Sequence, residues 1–159
     1  MSQQPLHFVK RVVSGGQTGV DRGALLAAIE LGIDHGGWCP RGRLAEDGRI
    51  PSEFKLKETP SKEYRVRTEK NVTDSDATLI LFRGEMSGGT VLTYRLAKQH
   101  CKPCLCVDLE NGATTDQARQ WLIDEQIETL NVAGPRESGA IGICAETCEF
   151  MTKLLSSDA

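Results

Sequence analysis

Apolar positions along this chain come in two alternating modes: short unbroken runs, and longer stretches in which they return at helical spacing. Val12 and Val13 end a first apolar run, and Leu25, Ala28 and Ile29 then recur on one helical face. Residues 33–39 give a short second strand, interrupted by Gly36-Gly37. Residues 61–74, SKEYRVRTEKNVTD, predict a helix started by Ser61 after Pro60, with so little apolar content that it belongs at an edge. Residues 77–82, ATLILF, are apolar on both faces, as in a parallel sheet covered by helices on both sides, and the helix VLTYRLAKQH follows. PCLCVDL is a third strong strand, closed by Asn111-Gly112. Thr115 caps the helix TDQARQWLIDEQ, which turns Ala118, Trp121 and Leu122 inward. Residues 129–133 make the last strand, before a terminal helix with Cys144, Cys148, Met151 and Leu155 on one face.

Strand–helix repeated about five times predicts a three-layer, doubly wound Rossmann-like α/β fold, with a mainly parallel sheet of about five strands and right-handed crossovers. At 159 residues the chain fits one such domain over 1–159. Residues 40–60 show neither period and read as a long loop, a functional lid or disordered segment on its length and a solvated surface loop with self-paired charges on its composition, with Arg41, Arg43 and Arg49 as cationic fingers and Glu46 and Asp47 as carboxylates. Ligands of such sheets bind beyond the carboxyl ends of the strands, where the winding reverses. A strand order of 2-1-3-4-5 places that point between the first strand and ATLILF.

The turns at those ends carry the candidate chemistry. Ser14-Gly15-Gly16-Gln17-Thr18-Gly19 joins the first strand to its helix; glycine lets backbone approach a ligand, Thr18 is the expected N-cap, and Asp21 lies three positions on. Free N–H groups and the helix dipole make such a turn an anion site. The stretch from Arg83 through Ser87-Gly88-Gly89-Thr90 repeats this arrangement, and Gly134-Pro135-Arg136-Glu137-Ser138-Gly139 follows the last strand. Arg22, Arg83 and Arg136 offer planar forks suited to phosphate. The first turn lacks the Lys-Ser/Thr of a Walker A loop, and Gly16, Gly19 and Gly23 miss the dinucleotide spacing. His7, His35 and His100 assemble no nucleophilic triad.

The net charge of −3 gives no global attraction to nucleic acid or an anionic membrane, so anion recognition has to be local. No apolar stretch reaches the roughly 18–20 residues of a membrane helix, and MSQQPLHFVK lacks a signal segment, which points to the cytoplasm. Of six cysteines, Cys101 and Cys104 have C-x-x-C spacing without a second pair, so no metal site is expected. Cys104 and Cys106 alternate within their strand and are expected on its two faces. Cys39, beside Trp38 and near the presumed site, is the cysteine closest to any chemistry.

The stretches VSGGQTGVDRGALLAAIELG, HGGWCPRGRLAEDG, ETPSKEYRVRTEKNV, DSDATLIL, SGGT, LT and LNVAGPRES, in this order, resemble the putative molybdenum carrier family. That family is a branch of the Rossmann-like superfamily containing the cytokinin-activating, LOG-type phosphoribohydrolases. The resemblance spans nearly the whole chain. It implies a homo-oligomeric (dimeric or tetrameric) binding protein for molybdenum cofactor (molybdopterin), a phosphorylated pterin holding an oxo-metal, with a molybdoenzyme as acceptor. LOG-type enzymes carry P-G-G-x-G-T-x-x-E; here Val91, Leu92 and Thr93 follow Gly89-Thr90 and the glutamate is missing. Binding is therefore favoured over hydrolysis, with no catalytic residue assigned. The alternatives are a nucleoside-monophosphate phosphoribohydrolase using Glu46, Glu69 or Asp47, and a nucleotide-sensing module. The candidate ligand set is Gly15, Gly16, Gln17, Thr18, Gly19, Asp21 and Arg22; Arg41 in the loop; Arg65 and Glu69, four apart on one helix face; Ser87, Gly88, Gly89 and Thr90; and Gly134, Pro135, Arg136 and Ser138.

Overall fold

Five strands pair in parallel throughout: β1 (Arg11–Val13), β2 (Asp34–Gly36), β7 (Ala77–Phe82), β8 (Cys104–Asp108) and β9 (Thr129–Ala133). They belong to a computed structural model that describes residues 9–111 and 115–156; His7 and Gly112 lie outside those residues. Short strands β3 (Trp38–Cys39), β4 (Leu44–Ala45), β5 (Gly48–Arg49) and β6 (Lys57–Glu58) lie between β2 and the second helix. The helices are α1 (Val20–Leu31), α2 (Tyr64–Thr73), α3 (Gly88–Gln99), α4 (Thr115–Asp124) and α5 (Ile143–Leu155).

The helices sort into two layers by the faces they bury. Ala24, Ala27 and Ala28 of α1, Ala118 and Leu122 of α4, and Phe150, Met151 and Leu154 of α5 share one core with Val12, Leu79, Leu81, Leu130 and Val132 of the sheet. On the other side Val72 of α2 meets Leu96 and Ala97 of α3. Leu79 and Leu81 face the first layer, and Ile80 between them is also fully buried, as the period of two requires of a strand covered on both faces.

The sheet order is β2-β1-β9-β7-β8, which corrects the expected 2-1-3-4-5. The last strand inserts between the first and ATLILF, pairing Val12 with Leu130 on one side and Thr78 with Asn131 on the other. Apolar runs reveal that strands are buried, but not which strand is their neighbour. Counting β9 as strand 1 turns the order into 3-2-1-4-5, the beginning of the dinucleotide-binding order. The chain is thus a cyclic shift of that topology, and the winding reverses between β9 and β7.

Residues 40–60 are a folded excursion, not a loose lid. β3 pairs in parallel with β6, and β4 with β5 forms a hairpin. Cys39, Ile50 and Phe54 pack on Leu25 of α1, with Ala45 and Leu56 beside them. Arg43 is buried and donates to the carbonyls of Ile50, Leu56, Pro51 and Phe54. Strands of two residues are too short to show a period, and the main polar anchor is an arginine that reads as a surface charge. Cys39 is fully buried, and burial pushes its thiol pKa up.

Local boundaries shift for similar reasons. The N-cap of α1 is Gly19, not Thr18, and α2 starts at Tyr64, where Ser61 Oγ accepts the N–H of its N-cap Glu63. Cys104 and Cys106 share one face of β8, where each thiol shifts the titration of the other, since residues two apart in a strand point the same way. Among the described residues, no helix is long and apolar enough to cross a membrane and no His/Cys/Asp/Glu group is arranged to hold a metal.

Candidate functional site

Parallel strands bring all their carboxyl ends to one edge, so the three glycine-bearing turns converge although the strand order differs from expectation. They enclose a cleft of about 720 Å³. The turn after β1 contributes Gly15, Gln17 and Asp21; the start of α3 contributes Ser87, Gly88, Gly89 and Thr90; the turn after β9 contributes Gly134, Pro135, Arg136 and Ser138. Because β9 is central, its turn lies between the other two. One wall is α2, which presents Tyr64, Arg67, Thr68 and Asn71. Their spacing of three, four and seven is a single helical face.

The remaining expected residues lie elsewhere. Gly16 faces Leu56 and Ile50 of the folded excursion. Thr18, Gly19 and Arg22 line a second, more open groove with Glu46, Asp47 and Ile141, and only Ser138 borders both. Arg22 donates to both carboxylate oxygens of Asp47, at 2.5 and 2.8 Å, and that pairing holds the Asp47 carboxyl below its usual range. Arg41 is exposed, its N–H bonded to Ser61, and is not part of the cleft lining. Arg65 does not line the cleft either, and Glu69 accepts His100 at 2.8 Å, tying α2 to α3. The α2 face bordering the cleft is that of Arg67 and Asn71, not that of Arg65 and Glu69. Tyr64, Arg67, Asn71, Glu85, Glu110 and Asn131 were absent from the candidate set; the 64/67/68/71 spacing is the signal that finds the first of them.

Charge in the cleft is unevenly matched. Arg83 is pinned to Glu146 and to the Ile141 carbonyl, at 2.9 and 2.8 Å. Arg67 pairs with Asp21 at 3.4 Å. Burial pushes the Asp21 carboxyl up, while Arg67 and the N–H groups of Gln17 and Gly15 pull it back. Arg136 has no ion pair among the described residues and stands 5.2 Å from the Tyr64 ring centroid, with Arg67 at 5.3 Å from the same ring. The amides of Gly88 and Gly89, the first of α3, have no acceptor among the described residues. A cation outside any ion pair among the described residues and two open amides at a helix N-terminus are the equipment for an anion.

Glu46 forms no ion pair among the described residues, but it feels the charge of Arg136 and latches two turns together. It accepts the Thr18 hydroxyl, and the Ser138 hydroxyl and N–H at 2.5 and 3.2 Å. The hydrogen bonds from Ser138 and then Thr18 hold its carboxyl below the ordinary range. Thr93 occupies the position of the LOG-type glutamate; it lines the cleft and donates its hydroxyl to the Gly89 carbonyl.

A parallel sheet wound on both sides, with a ligand-sized cleft at its carboxyl edge, defines a Rossmann-like α/β protein. Residues 12–155 match the model of the circularly permutated YpsA SLOG family, and the chain belongs to that family. The permutation accords with β9 standing where a first strand normally stands. A crystal structure of a putative molybdenum carrier protein from Syntrophus aciditrophicus SB, at 1.45 Å resolution, is 42% identical to this chain, with a TM-score of 0.89 over 97% of this chain and 98% of that one. No curated protein matches the chain.

Proposed function

We propose that the cleft holds a phosphorylated heterocyclic ligand, molybdenum cofactor or a closely related pterin or nucleotide, and carries it without converting it. The observation that supports this best is the meeting of Arg136, a cation in no ion pair among the described residues, with the open amides of Gly88 and Gly89 in one cleft. These groups would take the phosphate, with the hydroxyls of Ser87 and Thr90 beside them, and the ring would lie along Tyr64. A cleft of about 720 Å³ is of the size that encloses a small ligand. The similar protein from Syntrophus, named a molybdenum carrier, supports the choice of cargo. The carrier reading includes a cytoplasmic homo-oligomer that hands its cargo to a molybdoenzyme.

Carriage is favoured over hydrolysis because Glu46, Asp47 and Glu69, the carboxylates proposed to replace the LOG-type glutamate, all lie outside the cleft lining. Purification under anaerobic conditions, followed by metal and pterin analysis, tests the reading: both are expected with the protein, and absence of both, with no uptake of added cofactor, would overturn it. Glu85 and Glu110, which do line the cleft, give specific grounds for a second reading as a nucleoside-monophosphate hydrolase. Release of base from a nucleotide panel, abolished by Glu85→Gln or Glu110→Gln, would establish that reading instead.

A further inference from the structure

Gln17 is only 5% exposed and borders the cleft. Its Oε1 accepts the backbone N–H of Thr18 at 3.1 Å and that of Glu46 at 2.8 Å. Both are obligate donors, so the side-chain amide can be oriented only one way round. Its Nε2 is left with no acceptor among the described residues, and so is the Nε of Arg67, which borders the same cleft. The two residues are linked through one atom: the Gln17 N–H and Arg67 Nη1 both lie on Asp21 Oδ2, at 3.3 and 3.4 Å. Asp21 cancels the charge of Arg67, so the two unpaired donors are buried beside the cleft in surroundings without net charge. The cation in no ion pair among the described residues is Arg136, beside the Tyr64 ring that Arg67 also flanks.

A site divided in this way sorts the parts of a ligand. A phosphate belongs with Arg136 and the α3 amides. The Gln17 end wants an acceptor that is not itself an anion, and on a planar ring that is a carbonyl oxygen. We propose that Gln17 Nε2 reads a ring carbonyl, so that the cleft takes oxo-purine and pterin-type rings and rejects 6-amino-purines, whose N–H groups would face its own. A site that leaves a buried donor unpaired with the wrong ligand discriminates by that lost bond. The proposal rests on the cleft being the site of a phosphorylated heterocycle.

Calorimetric titration of the full chain with inosine monophosphate and adenosine monophosphate, which share the ribose phosphate, tests it. Inosine monophosphate is expected to bind about 10-fold more tightly. Gln17→Glu keeps an oxygen for the two backbone amides and replaces the free NH2 by an acceptor; it should abolish or reverse that preference. Should Gln17→Glu fail to fold by its thermal transition, the wild-type ratio decides alone. Equal wild-type affinities for the two nucleotides would overturn the carbonyl assignment and leave the phosphate reading standing. Binding of neither nucleotide, nor of a pterin phosphate, would overturn both.

Discussion

Arg67 and Asp21 meet at the cleft from elements 46 residues apart, with Nη1 3.4 Å from Oδ2 and side chains 12% and 9% exposed. The pair joins α2 to the first turn of α1, and Asp21 holds the N–H of Gln17 with the same oxygen. Removing one member of a buried pair leaves the other charge without compensation, which typically costs about 3–5 kcal/mol. Asp21→Ala should therefore lower stability by an amount of that order in denaturant unfolding. A loss below about 1 kcal/mol would show that the pair does not hold the floor together.

Two glycines of the same turn should fail differently. A Cβ on Gly15 would come within 1.5 Å of Arg67 Nη1, a side-chain atom that can move away only by leaving Asp21. Gly19 has φ +80° and its Cβ would meet the backbone carbonyl of Pro135 at 2.3 Å, which cannot move without shifting the turn after β9. Gly15→Ala, which separates Arg67 from Asp21, is expected to lower both ligand binding and stability, and Gly19→Ala to destabilise by roughly 1–3 kcal/mol or more through the backbone alone. Thermal melts alongside binding isotherms separate the two; a Gly15→Ala variant with wild-type stability and wild-type affinity would contradict the displacement of Arg67.

The Glu46 latch makes a pH prediction. Hydrogen bonds from Ser138 and Thr18 lower its carboxyl pKa in the folded state, so the unfolded chain binds the proton more readily. The stabilisation is therefore fully present above the ordinary glutamate range and is lost as pH falls through the lower folded value. Asp47, lowered by Arg22, has the same sign, and Asp21, raised by burial, has the opposite one. The Ser138 amide resonance should titrate with a midpoint below that of an ordinary glutamate. Glu46→Gln should remove the titration, and an unchanged profile in that variant would refute the latch.

Much of this was legible in the sequence because strands buried on both faces leave long apolar runs. ATLILF and TLNVA begin and end where the sequence places them. The neighbour of β9 was not legible: Leu130 and Val132 report burial, and the pairing of Asn131 with Thr78 is a contact across 53 residues. The glycine turns announced a site. Which arginines belong to it depended on the phase of α2, a polar helix whose inward face is marked by the 64/67/68/71 spacing and not by apolar residues. Arg43 illustrates the converse, a charge grouped with the loop's cationic fingers that instead anchors four carbonyls.

The most direct test of the carrier reading is equilibrium binding of isolated molybdenum cofactor under anaerobic conditions to the wild-type chain and to Arg136→Ala. Arg136 makes no ion pair among the described residues, so its removal should leave the thermal transition in place. Loss of one charge-assisted hydrogen bond is worth roughly 1.5–3 kcal/mol, or about 10- to 100-fold in affinity. Saturable binding to the wild-type chain, weakened by that factor in Arg136→Ala, is the predicted result; no binding to the wild type, or equal affinity for both proteins, would contradict it.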